Sequence, residues 1–313
     1  MTVDKKFINQ FIKVSTRAAL ASHHLVGKKD KIAADKAAVD AMRSELNKID
    51  MKGQIVIGEG ELDEAPMLYI GEKVGTKNGP ELDIAVDPLE GTNFVANNLP
   101  GALSVIAVAE KSNLFNAPET YMEKIATGKI EKGVVDLDFS IKKNISNLSE
   151  FKNKSPDQLT ACVMDRPRHK NIIDELNSLK VNLRLITDGD VSGALLVSDE
   201  SFKTDIFLGI GGGPEGVLVA SALDTLNCHF QGRFLFNSDD EKLRAKKMGI
   251  QDLTKKYELN EIISGDSIFC ATGITSGDFV KGINIIHDEY YSETFITHKS
   301  SGLSKIVKIK QKI

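Results

Sequence analysis

The chain has 313 residues, of which 41% are hydrophobic and 27% charged, with a formal net charge of −4. That length suits one large domain or two packed ones, and the composition is that of a water-soluble globular protein. No run of about 18 apolar residues offers a membrane span, no basic block is dense enough for a nucleic-acid footprint, and the absence of Trp argues against base-stacking platforms.

Phe7, Phe11, Val14 and Ala18 recur at helical spacing, which predicts an opening helix. The start MTVDKKFINQF lacks the layout of a secretion signal, so a cytoplasmic protein is expected. Ala34, Ala38, Met42 and Leu46 mark a second helix. QIVIG reads as a strand cut by Gly58. LDIAVDP reads as another, ended by Pro88, and ALSVIAVAE as a buried third. The segment holding KSNLFNAPETYMEKIATGK reads as a connection between two halves.

From about residue 155, strand and helix alternate three times: LTACVMD before NIIDELNSLK, NLRLITDGD before VSGALLVSD, and TDIFLGIGGG before EGVLVASALDTL. That rhythm predicts a parallel α/β layer. The tail SKIVKIKQK alternates Ile and Val with Lys and reads as a terminal strand with a solvated lysine face. The expected architecture is α/β, an α+β layered sandwich of two closely packed subdomains. Residues 1–155 are expected to bind metal and residues 156–313 the substrate.

Cys162, Cys228 and Cys270 are far apart and odd in number, as for reduced, mostly buried thiols. His23, His24, His169, His229, His287 and His298 show no metal-ligand pairing and read as structural or surface residues. GIGGGP lacks the full dinucleotide-binding fingerprint.

The chemistry is carried by acidic groups at strand ends. GEGELDEAP brings Glu59, Glu61, Asp63 and Glu64 directly after a strand; the plainer reading is a solvated loop. AVDPLEGT brings Asp87 and Glu90, three apart. In a turn or a first helical turn these would face one side, as hard oxygen ligands for Mg²⁺ or Mn²⁺. Gly91 and Thr92 can offer N–H groups to a phosphate, and Thr92 adds a hydroxyl; the plainer reading is a helix cap. GIGGGPEG brings Glu215 to a helix start, where a Pro followed by Glu is ordinary. Carboxylates gathered from three strand ends would repel unless a cation sat among them. On the anion-binding side, Arg166 and Arg168 of RPRHK can grip a phosphate. Asp188 and Asp190, either side of Gly189, can accept from sugar hydroxyls, or form an Asp-Gly turn. Tyr121, taken alone, reads more simply as core packing.

With these motifs in view, the chain resembles the class II, GlpX-type fructose-1,6-bisphosphatases. The resemblance runs through DKIAAD, IVIGEGELDEAPMLYIGEKVG, DIAVDPLEGT, LFNAPETYMEK, RPRH, DGDV, GIGGGPEGV and FCATGITSGD. DPLEGT is also similar to the D-P-[IL]-D-G-T of the wider lithium-sensitive phosphatases, with Glu90 for the second Asp. The resemblance implies the sugar-phosphatase fold. It implies hydrolysis of the 1-phosphate of fructose 1,6-bisphosphate in gluconeogenesis, with two or three Mg²⁺ or Mn²⁺ ions per site. It places metal ligands at Asp35, Glu59, Asp87, Glu90 and Glu215. It places substrate contacts at Glu90, Gly91, Thr92, Tyr121, Arg166, Pro167, Arg168, Asp188, Gly189, Asp190 and Gly212. Thr92, with Glu59 or Asp63 beside it, would orient the attacking water. A homodimer or homotetramer is implied, with no nucleic-acid or membrane partner. Three other readings remain: an enzyme that also cleaves sedoheptulose 1,7-bisphosphate, an inositol-phosphate or nucleotide 3′-phosphatase, and a phosphosugar-binding regulator without catalysis. The sequence departs from many relatives at Lys28 and Lys29, where an Arg-Gly pair is common, at Arg166, where Lys is frequent, and in NFVANNLPG after Thr92.

Overall fold

The computed structural model describes residues 3–58 and 67–312. In chain order the helices and strands are α1 (Phe7–His23), α2 (Lys31–Leu46), β1 (Lys52–Ile57), β2 (Lys73–Val74), β3 (Glu81–Glu90), α3 (Thr92–Asn97), β4 (Leu103–Glu110), β5 (Tyr121–Thr127), α4 (Ile141–Lys152), β6 (Thr160–Met164), α5 (Lys170–Ser178), β7 (Asn182–Ile186), α6 (Asp190–Leu195), β8 (Ile206–Gly212), α7 (Gly213–Thr225), β9 (His229–Leu235), α8 (Asp239–Lys247), β10 (Lys256–Glu258), α9 (Leu259–Ile262), β11 (Ser267–Gly273), β12 (Asn284–Ile286), β13 (Glu289–His298) and β14 (Leu303–Lys312). They form two compact units. One comprises Met1–Asn116 with Ile263–Ile313, the other Ala117–Ile262.

This division differs from the expected one at residues 155 and 156. Ladder pairing explains why. β11 lies antiparallel on β4, and β13 and β14 continue outward from β11, so the last 51 residues complete a sheet begun by the first 116. YMEKIAT, taken as part of a connection, is β5, an interior strand of the other sheet, flanked by β8 and β9.

In the first unit the described strands form one eight-stranded sheet, ordered β12-β13-β11-β4-β3-β1-β2, with β14 on β13. Only the β1–β3 pair among them is parallel. α1 and α2 pack on each other, and Ala18 and Ala19 of the one and Ala34 and Ala38 of the other are fully buried. Small side chains there let two helices approach closely while Phe7, Phe11, Val14, Met42 and Leu46 fill the space against the sheet. Cys270 lies in this core, where burial pushes its thiol well above the ordinary range. β14 is an edge strand. Leu303, Val307 and Ile309 pack on the core, while Lys305, Lys308, Lys310 and Lys312 are exposed, a pattern that discourages pairing with a further strand.

In the second unit the described sheet has six strands, ordered β10-β9-β5-β8-β6-β7. β6, β7 and β8 are parallel, as the strand–helix rhythm predicts. The layer is not parallel throughout: β5, β9 and β10 extend it with antiparallel pairs. Ile125, Leu148, Val163, Leu176 and Leu208 form its core. Cys162 is buried there and its thiol is pushed up to about 12 by burial, as is that of the partly buried Cys228, so both are poor nucleophiles. Among the described residues no helix is long and apolar enough to cross a membrane.

Asp205, just ahead of β8, fastens this unit. Its carboxylate accepts from Lys152 Nζ at 2.8 Å, Lys154 Nζ at 2.9 Å and the Thr160 N–H at 2.9 Å. Burial alone pushes the Asp205 carboxyl up, but the two lysines and the N–H outweigh it and hold it below the ordinary range. A depressed folded-state pKa stabilises above the unfolded value, and that stabilisation is lost as pH falls through the folded one. Asp205→Ala is therefore expected to cost about 2 kcal/mol at neutral pH, the lysines being partly exposed. Urea unfolding should show this difference shrinking as pH is taken below about 4.

Candidate active site

In the first unit the site begins in β3. Pro88 does not end this strand. The ladder with β4 runs on to Glu90, with a register shift between Asp87 and Glu90: Asp87 faces Val105, and Glu90 faces Leu103. One extra residue is thus accommodated, a bulge, where a proline lacking its N–H is tolerated. The bulge also resets the side-chain alternation. Val105 and Leu103 are two apart and share a face of the sheet, so their partners Asp87 and Glu90 share one too. The expected common side is present, produced by a bulge rather than by a turn.

Gly91 then takes φ +84°, a left-handed conformation that side chains resist, and turns the chain into α3, whose first residue is Thr92. α2 packs on both β3 and α3. The segment ahead of α2 is fastened to α3 by hydrogen bonds from the Gly27 N–H to Val95 O at 2.8 Å and from the Lys29 N–H to Ala96 O at 3.0 Å. Asp30 caps α2 by accepting from the Ala33 N–H, and Asp35 follows one turn later. Asp35, Asp87, Glu90, Gly91 and Thr92 thus sit on three elements packed together. Glu59, Glu61, Asp63 and Glu64 follow β1 and lie outside the described residues.

In the second unit, the ends of the parallel strands β6, β7 and β8 gather the remaining candidates. Gly212 closes β8 opposite Tyr121, the first residue of β5. Tyr121 is 44% exposed, not core as its lone position suggests, and the Arg168 guanidinium lies 5.0 Å from its ring centroid. Arg168 Nε also donates to Ile210 O at 2.8 Å. Arg166 lies 3.5 Å from Asp188, at the end of β7. Pro167 between the arginines opens a single helical turn. Gly189 precedes α6, and Asp190, its first residue, is paired with the fully buried Lys124 of β5. Glu215, in the first turn of α7, lays its carboxylate where a side chain on Gly212 would sit. Burial pushes the Glu215 carboxyl up; Lys124 opposes this, while Asp190 and Glu119 add to it.

His169 and Lys124 stand out only in the structure. His169 is fully buried. It takes the Ile210 N–H on Nε2 at 2.8 Å, which leaves Nδ1–H to donate to Met164 O at 2.7 Å. The imidazole thereby ties the arginine loop to the end of β8. A lysine at the inward parity of β5, between buried Met122 and Ala126, was the available sign for Lys124.

The donor set tests the implied metal. Asp35, Asp87, Glu90 and Glu215 are all carboxylates, the hard oxygen ligands that Mg²⁺ and Mn²⁺ prefer. Glu90 is buried, and it shares its face of the sheet with Asp87. Among the described residues no three such groups come together as a ligand cluster, and Glu59 lies outside those residues. By donor chemistry, oxygen only, these residues suit a hard divalent cation.

A chain that gathers carboxylates and arginines at its strand ends has the makings of a phosphoryl-group hydrolase. The profile of the family described as bacterial fructose-1,6-bisphosphatase, glpX-encoded, matches residues 5–311, and the chain belongs to that family. It is a phosphatase of the fructose-1,6-bisphosphatase class. It is 43% identical over 300 residues to a D-fructose 1,6-bisphosphatase class 2/sedoheptulose 1,7-bisphosphatase of Prochlorococcus marinus (strain MIT 9301), covering 91% of this chain and 90% of that one. To the protein of the same description from Trichodesmium erythraeum (strain IMS101) it is 40% identical over 323 residues, covering 95% and 94%. Among solved structures, the extragenic suppressor protein suhB from Bartonella henselae matches at 13% identity with a TM-score of 0.37, over 66% of this chain and 77% of that one. A likeness that loose adds nothing to the fold described above.

Burial, in first place, with Arg168 beside it, holds the His169 pKa below the ordinary histidine value, against the opposing pull of its backbone partners. Protonation would also destroy the acceptor for the Ile210 N–H. The neutral ring stabilises above about pH 6.5, and that stability is lost as pH falls below it through the depressed value. Urea unfolding at pH 7.5 and 5.5 should therefore show a smaller loss of stability for His169→Gln than for the wild-type chain.

Proposed function

We propose that this chain hydrolyses the 1-phosphate of fructose 1,6-bisphosphate to fructose 6-phosphate and inorganic phosphate, in gluconeogenesis, using Mg²⁺ or Mn²⁺. Family membership over residues 5–311 supports the reaction class. The observation that carries the assignment of roles is the β3–β4 register, which sets Asp87 and Glu90 on one face immediately ahead of Thr92.

Asp35, Asp87, Glu90 and Glu215, with Glu59, would hold two or three ions. When bound, such ions supply positive charge for the transferring phosphoryl group and lower the pKa of water. The remaining work belongs to the chain. Thr92 Oγ, with Glu59 or Asp63, orients the attacking water. Gly91 and Thr92 present backbone N–H groups to phosphate oxygens. Arg166 and Arg168 hold the phosphate that is not cleaved, and Tyr121 and Pro167 flank it. Asp188 and Asp190 accept from sugar hydroxyls, with Gly189 and Gly212 leaving room for the ligand. The transition state of phosphoryl transfer is loose, so positioning and charge stabilisation dominate the rate. Binding energy from the distant phosphate favours a bisphosphate over a monophosphate.

The relatives from Prochlorococcus and Trichodesmium carry sedoheptulose 1,7-bisphosphatase in their descriptions, which favours a second substrate here. One more hydroxymethylene group, lodged between the same two phosphate contacts, distinguishes it. A cytoplasmic homo-oligomer fits the same reading.

Phosphate release from fructose 1,6-bisphosphate with Mg²⁺ or Mn²⁺ present, abolished by chelator and restored by metal, is the expected outcome. Sedoheptulose 1,7-bisphosphate should be cleaved in the same assay. A chain that binds the sugar phosphate but releases no phosphate under any metal would be a regulator instead. Thr92→Ala should lower kcat by about 10²–10³-fold, roughly 3–4 kcal/mol, as for other positioned donors. Near-normal turnover by this variant with its circular dichroism unchanged would remove Thr92 from the reaction.

A further inference from the structure

Lys124 sits mid-strand on β5 between the ladders to β8 and β9, with no exposed surface. An ammonium group taken out of water costs several kcal/mol unless a negative partner meets it, and side chains of this kind are seldom kept without one. The partner is Asp190, whose side chain is only 8% exposed. The approach depends on Gly211: a Cβ there would fall on the Asp190 carboxylate. Lys124 Nζ takes one oxygen, Oδ2. The other, Oδ1, is buried and has no hydrogen-bond partner among the described residues. A buried carboxylate oxygen without a donor is costly to keep, and it can only accept.

We propose that Lys124 is a positioning residue for substrate recognition: by engaging Asp190 Oδ2 it fixes the carboxylate so that Oδ1 is offered as an acceptor to a hydroxyl of the bound sugar phosphate. The inference rests on the reading of Asp190 as a sugar contact. It adds a residue that touches no substrate, and it explains why a lysine is buried in an apolar strand. It also sets a chemical requirement. An acceptor held in a dry place rewards a ligand that brings a hydroxyl there and penalises one that does not, because the unmet oxygen stays unmet. The effect of Lys124 should therefore fall on KM and should vanish once Asp190 no longer carries a charge to be oriented.

The test is a double-mutant cycle on the full chain with Lys124→Met, Asp190→Asn and the pair, measuring kcat and KM for fructose 1,6-bisphosphate with saturating Mn²⁺. Lys124→Met is expected to raise KM by at least about tenfold, the scale of a hydrogen bond to a charged group, with kcat within about threefold of wild type. In the Asp190→Asn background the same substitution should change KM by less than about twofold. The inference is overturned by a folded Lys124→Met enzyme with wild-type KM, by an equal effect in both backgrounds, or by a loss confined to kcat. Should Lys124→Met alone fail to fold, because Asp190 is left buried and unpaired, the neutral pair decides: KM equal to that of Asp190→Asn supports the inference, and a further rise overturns it. An inactive wild-type control defeats the functional reading and this inference together, whereas an active control with an indifferent Lys124→Met defeats the inference alone.

Discussion

A carboxylate withdrawn from water has to meet positive charge or N–H groups, and this constraint orders most of the chain. In the second unit the chain supplies its own cations: Lys124 for Asp190, and Lys152 and Lys154 for Asp205. These pairs do different work. The Asp205 cluster ties the end of α4 to the starts of β6 and β8 and is spent on the fold. The Lys124 pair leaves one carboxylate oxygen over, and that surplus is what a ligand can use. In the first unit Asp87 and Glu90 share one face of β3, and Glu90 is buried there.

The second ordering device is geometric. Strands alternate their side chains, and two residues three apart should point to opposite faces. β3 defeats that by adding one residue between Asp87 and Glu90, at the position where a proline has no ladder hydrogen bond to give. The chain then turns at a glycine with positive φ to bring Thr92 to the start of α3. Two local breaks of regularity, each at a residue suited to it, place three candidate side chains within six positions.

Much of this was legible from the residues. Phe7, Phe11 and Ala18 gave α1 by spacing, and the three strand–helix alternations gave β6, β7 and β8 with their helices. The lysine-studded tail gave β14. What failed did so for physical reasons. YMEKIAT passed as a connection because Glu123 and Lys124 make a strand look solvated, although its Met, Ile and Ala are buried. Pro88 looked like a terminator because a bulge leaves no compositional mark. The division at 155 failed because a rhythm of elements reports neighbours along the chain, whereas β11 finds its partner β4 across more than 150 residues. Asp35 carries no local sign of function, and only resemblance singled it out. Arg166, Arg168, Asp188 and Asp190 were singled out by charge and position, whereas the buried His169 carries no sign in sequence and Lys124 left only its inward parity on β5.

The pairing of Leu114 with Ile263, backed by the Ser264 N–H donating to Asn113 O at 3.0 Å, pins together the points where the chain leaves the first unit and returns to it. The second unit is thus a loop of the first in the topological sense, closed at its neck. On the ribosome this sets an order of events. By the time residue 262 has emerged, the whole inserted body can collapse, while the outer one still lacks β11, the strand on which β4 and β13 both depend. The host must wait, with β4 bare along one side, for its guest to be finished; a nascent chain stalled between 110 and 260 residues would carry that open apolar edge as its chief hazard.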